Sequence, residues 1–312
     1  MDLIHLFLEY LRVERGYSGG TVKAYSTDLA QWAEFATSGK PGELDAASIT
    51  VQDLRLWVGA TAGTGVSPRT IRRKISSLRS FYHYLMAHHA FKSNPAAALT
   101  MPKMATEIPV YIRAAETKAI INDTHSAGAD FGSVRNNLII ELLYTTGIRC
   151  TELITLRDSD VDTRRGELKV LGKRNKERVV PFGRQLAETI DTYRALRDSS
   201  PLTAISSADP ASPLLVKDDG APLYRKMVYN IVHSILAEGG AHATRLSPHV
   251  LRHSCATDML NAGAPIASVQ QMLGHASLAS TQVYTHVTYK DLKNNYQLAH
   301  PRAQKKGGPN GH

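Results

Sequence analysis

The chain has 312 residues, long enough for two domains that each bury their own core. Its 43% hydrophobic and 21% charged residues are ordinary globular composition, and no apolar run reaches the roughly 18 residues needed to span a membrane. The formal net charge of +9 makes nucleic acid the first partner to test, while two cysteines, Cys150 and Cys255, with no Cys-x-x-Cys, exclude a disulfide framework and point to a reducing, cytoplasmic setting.

The N-terminus, MDLIHLFLEYLRVERGYS, has an acid at position 2 and charges within its apolar run, so it reads as a helix and not as a signal peptide. Leu3, Leu6, Phe7, Tyr10 and Leu11 recur at helical spacing until GYSGG. A second helix follows in TVKAYSTDLAQWAEFAT, with Val22, Tyr25, Leu29, Trp32 and Phe35 on one face, and a short third one around TVQDLRLWVGA. In SPRTIRRKISSLRSFYHYLMAHH, Ser67 is the expected N-cap and Pro68 suits the first turn. Its apolar face is Ile71, Ile75, Leu78, Tyr82 and Leu85; its other face carries Arg69, Arg72, Arg73, Lys74 and Arg79. That stripe reads either as a solvated surface or as a helix laid against phosphates.

Residues 94–111 hold three prolines without a clear period and are read as a linker between a helical domain at 1–93 and a second domain at 112–300. In the second domain VRNNLIIELLYTTG is a helix stopped by Gly147. GELKVLGKRNKERVVPF alternates on both sides of a turn and predicts a β-hairpin. DPASPLLVKDDGAP reads as loop, helices return from about Tyr224 to Tyr296, and 301–312 reads as a mobile tail. The expected fold is therefore mainly α, with a small β-hairpin or sheet confined to an α+β second domain.

LSPHVLRHSCATDML places His249, Arg252 and His253 at a helix start, where Ser247 can cap and Pro248 begins the first turn. A helix N-terminus carries partial positive charge and open N–H groups, which favours an anion. Zinc is disfavoured, because no glutamate lies between the histidines and no third ligand is evident. Packing without chemistry stays open for this segment alone. LLYTTGIRCTELITL puts Arg149 just past a helix break, either paired structurally, with Glu152 as a possible partner, or aimed into a cleft. Lys173 sits at the hairpin turn; His275 follows Gly274, and Tyr284 comes nine residues later.

Taken in order, Arg149, Lys173, His249-x-x-Arg252, LGH ending at His275 and VYTH around Tyr284 closely resemble the active-site pattern of the tyrosine recombinases, the phage-integrase family. The likeness spans nearly the whole chain. AHPRA resembles the ends of the bacterial members that resolve chromosome dimers, whereas the continuation QKKGGPNGH departs from them and leaves open the integrase of a mobile element. The resemblance implies a helical DNA-binding domain followed by a tyrosine-recombinase catalytic domain, acting on double-stranded DNA at a specific site as a tetramer on two sites, with or without a second recombinase. It implies that Tyr284 attacks a phosphodiester to give a 3′-phosphotyrosyl link. Arg149, Arg252 and His275 would then stabilise the charged transition state, His249 would accept the tyrosine proton, Lys173 would protonate the leaving oxygen and Glu152 would orient Arg149. No metal and no cofactor is called for. Lys23, Arg69, Arg72, Arg73, Lys74 and Arg79 are candidate DNA contacts in the first domain, as are Arg225 and Lys226 in the second. A type IB topoisomerase-like enzyme and an inactive DNA-binding protein are the rivals. The helical first domain argues against the former and the filled catalytic positions against the latter.

Overall fold

In the computed structural model, which describes residues 2–37, 44–104, 111–123, 130–172, 177–203, 211–241, 243 and 245–274, the chain divides into two units, Met1–Glu107 and Ile108–His312. Among its described residues the first unit has four α-helices: α1 (Leu3–Val13), α2 (Gly19–Ala36), α3 (Val51–Gly63) and α4 (Pro68–His88). Each begins where a short polar side chain takes up an orphan N–H. The Asp2 carboxylate accepts from the Ile4 N–H at 3.0 Å, and the Ser18 and Ser67 hydroxyls accept from the Thr21 and Thr70 N–H groups at 3.3 Å. At α3, Thr50 and Asp53 cap each other reciprocally, the Thr50 N–H reaching Asp53 at 2.8 Å and the Asp53 N–H reaching Thr50 at 3.3 Å.

Helix α4 is central, packing on α1, α2 and α3. Its buried face, Ile75, Leu78, Phe81 and Leu85, meets Phe7 and Leu11 of α1, Leu29 and Trp32 of α2, and Leu54 and Trp57 of α3. Phe81 takes Phe7 and Trp32 edge-on, at centroid distances of 5.5 and 5.9 Å. Each such buried aromatic contributes roughly 1.5–3 kcal/mol relative to exposure. The expected start of a linker at 94 is corrected here. Pro95–Ala98 forms a 3-10 helix, and Ala96 and Leu99 are buried in this same core, because their apolar side chains cover the open side of α4.

The second unit contains α5 (Ala114–Asp123), α6 (Phe131–Thr146), α7 (Cys150–Ile154), β1 (Val161–Asp162), β2 (Glu167–Leu171), β3 (Glu177–Pro181), α8 (Arg184–Asp198), α9 (Arg225–Glu238), α10 (Pro248–Asn261) and α11 (Ile266–Leu273). Helix α6 is its axis: it packs on α8, α9 and α10, and every residue from Asn137 to Thr146 is buried. A helix enclosed on all sides needs its polar groups matched, and the Tyr144 hydroxyl bonds the Asp258 carboxylate of α10 at 2.8 Å. The strands form an antiparallel sheet in the order β1-β2-β3, with Leu168 opposite Val180 and Val170 opposite Arg178. Cross-strand partners share a face, so Arg178 lies on the same side of the hairpin as the buried Leu168, Val170 and Val180.

Two further readings are adjusted by packing. The segment read as loop from 209 contains Leu214, Leu215 and Val216, all buried; the Leu214 N–H bonds the Leu156 carbonyl at 2.9 Å and the Val216 N–H the Tyr193 hydroxyl at 3.0 Å. Ser247 does precede α10, with Pro248 in its first turn, but no hydrogen bond from its side chain caps the helix.

Candidate active site

Helix α6 stops at Gly147, whose φ of +62° is the left-handed conformation that glycine adopts without penalty. A side chain here would also collide: a Cβ at Gly147 would stand 2.5 Å from Leu273 Cδ2 of α11 and 3.4 Å from Cys255 Sγ of α10. The absent side chain therefore lets the end of α6 close onto α10 and α11. The chain then turns into α7, and Arg149 caps that short helix in an extended conformation.

Glu152 of α7 is the hub of the arginines around it. It is 6% exposed and accepts four hydrogen bonds: the Arg149 N–H at 2.8 Å, Arg149 Nη1 at 2.8 Å, and Arg178 Nη1 and Nη2 at 3.0 and 2.8 Å. Burial by itself would raise its pKa. The Arg178 fork, then the Arg149 N–H and guanidinium, outweigh that and hold the carboxyl below the usual glutamate range.

These two guanidiniums and that of Arg252 share an anchor at the end of α11. Arg178 Nε donates to the Met272 carbonyl at 2.8 Å, Arg252 Nη2 to the Leu273 carbonyl at 2.6 Å and Arg149 Nη2 to the Gly274 carbonyl at 2.9 Å. These are carbonyls that a helix C-terminus leaves open, at the negative end of its dipole. Arg252 Nη1 donates to the Gly147 carbonyl at the other junction. Arg252 is 4% exposed, and its pKa is pushed down to about 10 by burial first and by the charge of Arg149 second. At neutral pH it is still charged. Two cations thus bond one carboxylate and a third, Arg252, lies close enough to feel its charge, a local excess of positive charge that suits an anion, and the Arg149 side chain is 38% exposed.

His249 stands exposed in the first turn of α10, three residues before Arg252, and His253 is half-buried. Among the described residues no group of three or more His, Cys, Asp or Glu is placed to hold a metal ion. Lys173, His275 and Tyr284 lie outside the described residues. The sequence reading offered Glu152 as a possible partner of Arg149, and the two are hydrogen-bonded, but it did not name Arg178. The available signal was its two-residue phase with Val180, which puts a charge on the apolar face of a strand.

Comparison with known proteins completes the picture. Residues 111–291 match the Phage integrase family and residues 4–89 match the Phage integrase N-terminal SAM-like domain. Tyrosine recombinase XerC of Bacillus pumilus (strain SAFR-032) is 37% identical over 308 residues, covering 97% of this chain and 98% of its own. Tyrosine recombinase XerC of Mycobacterium sp. (strain KMS) is 38% identical over 305 residues, covering 97% and 99%. The chain belongs to the phage integrase family of tyrosine recombinases. It is a site-specific recombinase enzyme. Its fold is also that of the Tn1549 transposon integrase, solved in complex with transposon right end DNA, with a TM-score of 0.72 at 18% identity over 95% of this chain and 99% of that one.

The basic residues of this tyrosine recombinase fall into distinct environments. Lys23 and Arg69 are exposed, as are Arg225 and Lys226 at the start of α9, where the Arg225 guanidinium lies 5.9 Å from the Tyr229 ring. Arg72 donates to the Pro102 carbonyl at 3.0 Å. Arg79 donates to the carbonyls of Ala96, Ala97 and Leu99 at 3.0, 3.1 and 2.6 Å, so both clasp the segment after α4. Arg73 is half-exposed and pairs with Asp28. Lys74 departs from the expectation of a surface stripe: it is 5% exposed, with its ammonium against Gln31 and Asp28 and 5.2 Å from the centre of the Trp57 ring. Its position on α4 faces α2 and α3 and not solvent. No helix among the described residues is long and apolar enough to cross a membrane.

Proposed function

We propose that this recombinase cuts and rejoins double-stranded DNA at a specific recombination site with Tyr284 as its nucleophile, and that its task is the resolution of chromosome or plasmid dimers in the cytoplasm. The observation that carries the site is the excess positive charge: Arg149 and Arg178 bonded to the single carboxylate of Glu152, with Arg252 coupled to all three. A phosphoryl transition state supplies the missing negative charge on its non-bridging oxygens. Guanidinium forks can donate two aligned hydrogen bonds each to such oxygens, which a lysine cannot imitate.

In this reading the Tyr284 oxygen attacks the phosphorus, its proton passing to His249, and the 5′-oxygen leaves with a proton from Lys173. The products are a 3′-phosphotyrosyl bond and a free 5′-hydroxyl. Attack of a 5′-hydroxyl reverses the step, so the phosphodiester energy is conserved and no nucleotide cofactor is needed. Arg149, Arg252 and His275 stabilise the charge, and preorganised donors of this kind are worth about 10²–10³ in rate each. Lys23, Arg69, Arg225 and Lys226, exposed in the structure, are the proposed phosphate contacts. A tetramer on two DNA sites is the proposed working assembly.

The test is Tyr284→Phe, which removes only the nucleophilic oxygen. With labelled, nicked site DNA on a denaturing gel, the wild type is expected to form a covalent adduct and the Phe variant none, while site binding is unchanged. Phe at Tyr289 and at Tyr296 serve as controls. An adduct that persists in the 284 variant, or disappears only in a control, shows that the nucleophile is another residue.

A further inference from the structure

We propose that Arg178 is a positioning residue for strand cleavage: its guanidinium ties Glu152 of α7 to the last turn of α11 and so sets where the Arg149 fork points. The proposal rests on the recombinase reading of the site, but it concerns a residue outside the six that the sequence pattern marks.

Four observations carry it. Arg178 is on the core-facing side of β3, opposite Val170, and its side chain is only 13% exposed, so it does not present itself to a ligand. Its Nη1 and Nη2 take both oxygens of Glu152, at 3.0 and 2.8 Å, which fixes the plane of the carboxylate. That carboxylate in turn takes Arg149 Nη1 and the Arg149 N–H, so the orientation of the Arg149 guanidinium is inherited from Arg178. Finally, Arg178 Nε bonds the Met272 carbonyl, two residues before the Gly274 carbonyl that accepts Arg149 Nη2.

Gly274 shows how closely the parts are fitted. Its φ is +63°, and a Cβ there would stand 3.0 Å from Arg178 Nη1 and 3.2 Å from both Cδ and Cζ. The guanidinium lies against the bare Cα, and the end of α11 is shaped around it. One side chain on a strand thereby holds two elements, α7 and α11, that together hold Arg149. A lysine in its place keeps the charge but has one nitrogen, which cannot span two carboxylate oxygens and a carbonyl at once.

The experiment compares wild type, Arg178→Gln and Arg178→Lys, with Arg149→Ala and the Arg149→Ala/Arg178→Gln double variant. Hydrogen exchange of the peptide covering 266–274 reads the tie without DNA and is expected to speed up in Arg178→Gln while α6 stays protected. Single-turnover cleavage of nicked site DNA at saturating enzyme is expected to fall about 10- to 10²-fold, as a misplaced reacting group costs, with binding in a gel shift unchanged. Arg178→Lys is expected not to restore the rate. Because Arg178 acts through Arg149, the double variant is expected to cleave no more slowly than Arg149→Ala alone. Unchanged exchange, full rescue by lysine, or multiplication of the two single effects would each overturn the proposal. If Arg178→Gln does not fold, Arg178→Lys is read by the same criteria, and wild-type-like exchange and rate in it count against the proposal. If exchange responds but the wild type forms no adduct on any site DNA, the recombinase reading of the site fails and the tie itself stands.

Discussion

Asp28 in the first unit and Glu152 in the second are both buried carboxylates holding two cations, yet they are built differently. Asp28, on α2, takes Arg73 and Lys74, which are sequence neighbours on α4, so the cluster joins two rigid helices through adjacent positions. Glu152 takes Arg149 from the start of its own helix and Arg178 from a strand, and the same guanidiniums reach the end of α11 beside Arg252 of α10. The first arrangement closes on itself. The second draws on element ends and a hairpin and adds a third cation, Arg252, beside the pair that Glu152 holds. Two cations around an acid are therefore no signature of a site; convergence of three cations from several element ends is.

Substitutions can break or sharpen this contrast. The largest effect is expected from Glu152→Gln, which keeps the shape but removes the charge that aligns Arg149 and Arg178. Cleavage of nicked site DNA is expected to fall about 10²–10³-fold, the scale of losing one preorganised donor, with DNA affinity nearly unchanged. A loss of affinity as large as the loss of rate would put Glu152 in the binding surface instead. Next comes Asp28→Asn, which leaves the buried Lys74 ammonium without its counter-charge. A destabilisation of about 3 kcal/mol is expected, read by thermal or denaturant unfolding, while the cleavage rate at saturating DNA and permissive temperature stays at the wild-type level. If that rate falls as it does for Glu152→Gln, the distinction between the clusters collapses.

The smallest effects are expected at the exposed cations. Lys23→Ala and Arg69→Ala are each expected to weaken site binding modestly and to reduce the slope of log affinity against log salt by about one. Lys74→Met is expected to leave that slope alone, because Lys74 is 5% exposed. A shallower slope for Lys74→Met would mean that α4 presents its basic stripe to DNA after all.

Helix α4 shows where reading along the chain succeeds and where it stops. Its start at Ser67-Pro68 and its apolar face follow from local chemistry and a 3.6-residue period, and both are present. The same period cannot say what lies beyond the opposite face. Arg72 and Arg79 turn out to bind carbonyls of residues 96–102, because a segment without periodicity folds back over α4, and Lys74 is sealed beneath Trp57, because α2 and α3 pack against that side of it. Helices α5 and α8 and the buried run Leu214–Val216 are obscure in the sequence for a related reason: their placement depends on what packs against them.

For the site, sequence by itself determined the residue types and their order: Arg149 after a glycine-stopped helix, Glu152 one turn on, and His249 and Arg252 opening another helix. Those follow from spacing, which is a property of the chain. Only the tertiary structure decided that Arg178 belongs with them, that three arginines meet the carbonyls of one helix end, and that Gly147 and Gly274 are bare where α6, α11 and a guanidinium come within contact. Those are meetings between residues from 21 positions apart, as with Arg252 and Leu273, to 125, as with Arg149 and Gly274, and they are set by how the core packs, because side-chain direction and charge neutralisation are settled in three dimensions and not along the sequence.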